Sequence, residues 1–126
     1  MADDKERFLR LGETVMGMME YLRGLLLDLP IPVVLPELLA GGSPDPEAVL
    51  ALDRARDLLE AEPIPGQHQT ALEHLILNWF IAYEMLVLRT MAGPAAWRLD
   101  AAEHAIRSFT TIAEMIESGE LEDDES

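Results

Sequence analysis

The sequence predicts an all-α fold, a four-helix bundle with a Pro-rich crossover after the first helix and an acidic C-terminal tail. Three observations predict it. Apolar residues recur at alternating spacings of three and four through long segments. The prolines fall only at the junctions between those segments. Capping residues and Gly breakers mark the ends of the same segments.

The first helix is expected over residues 3–29. Phe8, Leu11, Val15, Met18, Leu22, Leu25 and Leu29 form one stripe. Asp3 with Glu6 resembles a capping signal, and Pro30 stops the helix. Leu9, Met16, Met19, Leu26 and Leu27 widen the apolar face, which calls for two neighbours in the same chain or in a second copy. Residues 30–36 hold three prolines and follow an extended path, with their aliphatic side chains over one end of the bundle. Glu37 to Ala40 add a single turn before Gly41-Gly42.

The second helix starts near Asp45, with Asp45 as N-cap, Pro46 at the first helical position and Glu47 in the first turn. Leu52, Ala55 and Leu59 make its inner edge, with Val49 beside them. It ends before Pro63-Ile64-Pro65-Gly66. The third helix, about residues 67–92, is the core element, with Thr70 and Glu73 as a capping box. Between positions 75 and 88 almost every residue is apolar, so this helix is expected to be covered on most sides. That implies a central placement or an oligomer interface. Gly93-Pro94 ends it and opens the fourth helix, about residues 94–118, which stops at Gly119. There Leu99, Ala102, Ile106, Phe109, Ala113 and Ile116 face inward, and Asp100, Glu103, His104, Arg107, Glu114 and Glu117 lie opposite. One domain over residues 1–119 and a flexible acidic tail over 120–126 complete the organisation.

Composition narrows the chemistry. The absence of Cys excludes disulfides, thiolate catalysis and Cys-ligated zinc. The first seven residues are too charged for a signal peptide. Residues 75–92 include Asn78, Glu84 and Arg89, each costly in hydrocarbon, so a buried helix is expected there rather than a membrane span. A soluble, cytoplasmic protein is therefore expected. The six internal Met residues, Met16, Met18, Met19 and Met85 among them, read as core filler.

With 24 Asp and Glu against nine Lys and Arg, the formal net charge is −15. Such a surface argues against direct binding to nucleic acid or anionic lipid and suits a basic protein partner. The charge is uneven: residues 31–65 sum to −5 and residues 94–126 to −7, whereas 66–93 sum to −1. Helical spacing pairs Arg56 with Glu60 and Glu103 with Arg107.

Catalytic motifs are sparse. Di-iron bundles need Glu-x-x-His pairs, but here Glu and His are adjacent, at Glu73-His74 and Glu103-His104. His68 and His74 are six apart, which does not suit a shared helical metal site. For the Glu-x-x-Glu and Glu-x-x-Asp pairs that all-α pyrophosphohydrolases need on two helices, Glu117 with Glu120 and Glu120 with Asp123 lie together at the end of the fourth helix. Neither a phosphate loop nor a Ser nucleophile context is present. The run Arg98-Leu99-Asp100-Ala101-Ala102-Glu103-His104 is similar to the Arg-x(4–6)-His signature of HEPN-family ribonucleases. That resemblance implies a helical dimer that cleaves RNA with Arg98 and His104. The family usually has a polar residue after the Arg, where Leu99 stands here.

The leading expectation is a non-enzymatic, cofactor-free interaction protein that neutralises or inhibits a basic, nucleic-acid-handling partner, in the manner of an immunity protein. Its partner-binding residues would be Asp53, Asp57, Glu60, Asp100, Glu103, Arg107, Glu114 and Glu117. The second expectation is a self-assembling subunit that dimerises through the first and third helices, and the third is the ribonuclease. Glu84 falls level with His104 in an antiparallel hairpin and pairs with it if the faces turn together. The other arrangement exposes Glu73, Leu77 and Glu84 along one helix edge.

Overall fold

The computed structural model describes residues 2–35, 46–93 and 95–119 and is all-helical. Four α-helices follow in order: α1 (Ala2–Leu27), α2 (Pro46–Leu58), α3 (Gly66–Ala92) and α4 (Ala96–Ser118). A 3₁₀ turn at Leu59–Ala61 extends α2.

α3 is the element on which the others pack, most extensively α4 and then α1. Cross-contacts fix the directions. Asn78 donates to Ser108 Oγ at 3.1 Å, so α3 and α4 form an antiparallel hairpin. Trp79 Nε1 donates to the Val15 carbonyl at 2.9 Å, and Arg89 lies over the Phe8 ring, so α1 also runs against α3. Arg7 meets Asp100 and Glu103 while Tyr21 meets Phe109, so α1 and α4 run parallel. The backbone of α2 approaches α3 and no other α-helix among the described residues.

Burial follows the apolar periodicity. Leu11, Val15, Met18 and Leu22 of α1 are buried, joined by Met19 and Leu26 from the widened face, whereas Leu9 and Leu27 are exposed. Leu52, Ala55 and Leu59 are buried as expected. In α4 the buried set is Leu99, Ala102, Ala105 and Phe109, while Ile106, Ala113 and Ile116 are only half-buried. Trp79 is the largest fully buried side chain and stacks on Tyr83 at 4.9 Å. Its N–H finds an acceptor, as a buried indole requires.

Helix ends differ from the sequence reading in four places. α1 stops at Leu27, because Asp28 and Val33 close back onto the carbonyls of Gly24 and Leu26. α1 begins at Ala2, ahead of Asp3. α3 opens at Gly66, where Pro65 offers its carbonyl to the amides of His68 and Gln69, so Thr70 is an interior residue. Its expected partner in a capping box, Glu73, instead meets Arg56 across the junction at 3.7 Å. α4 starts at Ala96. Gly119 adopts the left-handed conformation expected of a C-terminal stop, and its N–H bonds Ile116. The Asp45 cap, the turn expected over residues 37–40 and the tail over 120–126 lie outside the described residues.

Beyond α1 the chain doubles back. Arg23 Nε donates to the Leu35 carbonyl at 3.4 Å, and Leu35 is buried. Val33 packs against the core, but Ile31 and Val34 are exposed, so only part of this aliphatic run covers the bundle. Adjacent residues of an extended segment face opposite ways, which sends Val34 outward. The buried Glu62 joins this segment to the turn before α3. Its Oε1 accepts the Ile31 N–H at 3.0 Å, and its carbonyl accepts from Ile64 and Gln69.

By length and composition α3 is apolar enough to cross a membrane, and 39% of that stretch is buried. One stripe is left uncovered by the other helices, as in the arrangement that exposes Leu77 and Glu84 along one edge, although Glu73 is half-buried. Leu77, Ile81, Glu84 and Leu88 are exposed. Three packed helices occupy one side of α3 and leave the opposite stripe to solvent.

Candidate partner-binding surfaces

The eight acidic-surface residues expected from the sequence divide into two groups. Asp53, Asp57 and Glu60 are exposed on α2 and its 3₁₀ extension. Asp100, Glu103, Arg107, Glu114 and Glu117 lie on α4. α2 and α4 do not approach one another, so these residues do not form one continuous face among the described residues.

Several of the acids are already engaged. Arg56 pairs with Asp53 at 3.2 Å and with Glu73, not with Glu60. Arg7 grips α4 from α1: its Nη2 donates to Asp100 at 2.7 Å and to Glu103 at 2.9 Å, and its Nε donates to the second Glu103 oxygen. Hydrogen bonds to Glu103 and then Asp100 push the Arg7 pKa up, so this guanidinium stays charged. Glu103 therefore serves Arg7 first, and Arg107 sits 4.0 Å away at the edge of ion-pair range. The first half of α4 thus spends its acids on holding α1.

The second half of α4 is arranged differently. Past Phe109, Ile112, Ala113, Met115 and Ile116 are only half-buried. An open groove of about 650 Å³ runs between α1 and α4. Met18, Tyr21, Phe109 and Ala113 form its apolar floor, and Glu114 and Glu117 stand on its α4 rim. Gly17 opens the α1 side, because nothing lies within 4 Å of where a Cβ would project. Glu114 is exposed, and Glu117 Oε2 accepts the Tyr21 hydroxyl at 2.9 Å. Burial, and then that hydrogen bond, push the Tyr21 pKa up to about 12, so the phenol stays a donor across the physiological range. Smaller grooves of about 510 and 280 Å³ flank the same turns of α4, beside His74 and His68 respectively.

The sequence identified Glu114 and Glu117 but not the groove. Its signal is Gly17, an exposed position beside Met18 of the apolar stripe, where the lack of a side chain leaves the α1 edge of the groove open.

The remaining candidates do not converge. Arg98 donates to the Gly93 carbonyl at 2.9 Å and stacks on Trp97, while His104 is exposed. Six residues of regular α-helix set the two about 120° apart. Glu84 and His104 are both exposed, with no ion pair or hydrogen bond between them. Asn78 and Arg89 are held internally, by Ser108 and Phe8. Among the described residues, no three of His, Asp and Glu gather as a metal site. No family profile, characterised protein or solved structure matches the chain.

Proposed function

We propose that this is a non-enzymatic acidic binding protein that inhibits or neutralises a basic protein, gripping it through the groove between α1 and α4. The supporting observation is the pairing of an apolar floor with an acidic rim at Glu114 and Glu117. A Lys or Arg side chain suits such a place. Its aliphatic stem lies along Met18 and Phe109, and its cationic head reaches the carboxylates. The net charge of −15 supplies long-range attraction for a basic partner and repels nucleic acid and anionic lipid, so neither is the direct ligand.

In this reading residues 1–119 form one domain, and the Pro-rich crossover returns the chain from α1 to α2. The acidic tail follows Gly119 in sequence, and its five acids add to the field at the groove end of α4. Asp53 and Asp57 of α2, with Glu60 of its 3₁₀ extension, steer the encounter rather than form the contact, since α2 stands apart from α4.

The test is capture of the tagged protein's partner from native lysate, with low-salt and high-salt washes, followed by association kinetics on the purified pair. A stoichiometric basic protein released by salt is expected. The Glu114→Lys, Glu117→Lys double variant should slow association by about tenfold or more. Recovery of no basic protein, or an unchanged association rate for the double variant, overturns the reading.

A further inference from the structure

A second surface lies on the other side of the molecule. The outward stripe of α3 exposes Leu77, Ile81 and Leu88, which with Glu84 follow the alternating four-and-three spacing of a coiled-coil seam. An outer helix face in a bundle is ordinarily charged. We propose that this stripe is the interface of an antiparallel homodimer, in which the α3 helices of two copies lie side by side in full overlap.

Charge selects a second copy as the occupant. Of the chain's 33 charged residues, α3 holds Glu73, Glu84 and Arg89 only. Arg89 sits against Phe8 and Glu73 against Arg56, so Glu84 alone charges the exposed stripe. A basic partner would find one carboxylate there. Two copies, each at −15, meet with least repulsion where the charge is thinnest.

The order of residues selects the antiparallel arrangement. A twofold axis at the level of Trp79, the middle of α3, sets residues equidistant from it against each other. Leu77 then faces Ile81 of the second copy, Thr70 faces Leu88, and His74 faces Glu84. All six are exposed in the single chain. Aliphatic groups meet aliphatic groups at the centre, and each Glu84 carboxylate receives a hydrogen bond from an imidazole. A parallel pairing in the same register would set Glu84 against Glu84, two like charges at the seam. Opposed helix dipoles favour the antiparallel form as well. Full overlap spans about 40 Å of helix.

Light scattering on the full chain should give twice the 14.0 kDa chain mass. Ile81→Arg should weaken the dimer by about thirtyfold or more, the effect of losing a central interface anchor. It changes an exposed side chain, so helicity by circular dichroism should not change. Leu9→Arg, on an exposed position of α1, should leave the dimer intact. His74→Glu and Glu84→His should each weaken it, and the two together should restore it, because they exchange the members of one pair. A monomeric wild type, or a dimer indifferent to Ile81→Arg, overturns the interface. Failure of the double exchange to restore association overturns the antiparallel register.

Discussion

Tyr21 shows how one side chain ties packing to the proposed binding groove. Its ring packs edge-on to Phe109 at 6.0 Å, and its hydroxyl donates to Glu117. Both effects favour the neutral phenol, which is why its pKa is pushed up to about 12 from an ordinary value near 10. A group whose folded pKa is raised contributes stability below its unfolded pKa and loses it as pH climbs toward the folded one. Urea unfolding should therefore show a loss of stability between about pH 10 and 12, and Tyr21→Phe should flatten that slope. An equal slope in the variant would mean that Tyr21 is not its source. None of this was legible from spacing, since Tyr21 and Glu117 lie 96 positions apart. The same limit explains the ion pairs. Helical spacing offered Glu60 to Arg56, which pairs instead with Asp53, and Arg107 to Glu103, a contact present at 4.0 Å but longer than the one from Arg7 at 2.9 Å. A sequence displays neighbours along one helix, whereas Arg7 reaches Glu103 only once α1 has docked.

At the scale of the elements, the helices and their inner faces were legible because periodicity and breakers are local properties. The stripe of α2 and the middle of that of α1 are buried as their spacing indicates, with Phe8, Leu25 and Leu29 half-buried, while that of α4 shifts to include Ala105 and loosens past Phe109. That loosening, which makes the groove, depends on how far α1 and α4 run together and has no local signature beyond Gly17. The exposed edge of α3 at Leu77 and Glu84 is one of the two arrangements the sequence offers, and spacing alone does not choose between them, because an apolar run shows what a helix is able to bury, not how many neighbours it has. Junctions carry their own constraints. Gly93 joins α3 to α4 with φ 97° and ψ 166°, a region that side chains with a Cβ avoid. No atom lies within 4 Å of a Cβ placed there, so the conformation rather than space makes glycine necessary. Gly93→Ala should cost about 1–3 kcal/mol by chemical denaturation. Unchanged stability would show that the turn relaxes into another conformation.

For the whole molecule, the sign of a salt effect separates the forces at work. Nine bases face 24 acids in the chain, and among the described residues the closest ion pairs centre on Arg7, Arg23 and Arg56. The folded chain therefore carries mutual repulsion that its own bases do not cancel. Raising ionic strength shortens the screening length to about 10 Å at 0.1 M, which relieves repulsion between exposed carboxylates more than it weakens the short Arg7 contacts. The melting temperature should rise as salt goes from about 10 mM toward 0.5 M, a range that crosses this screening length. The two proposed surfaces then respond in opposite senses. Capture of a basic partner relies on attraction between unlike charges, so its association should slow with added salt. The α3 homodimer brings two molecules of like charge together over an apolar seam, so it should tighten under the same change. Measuring partner association and self-association in one salt series assigns each event to its surface. A dimer that weakens with salt would rest on contacts between unlike charges instead of the outer stripe of α3.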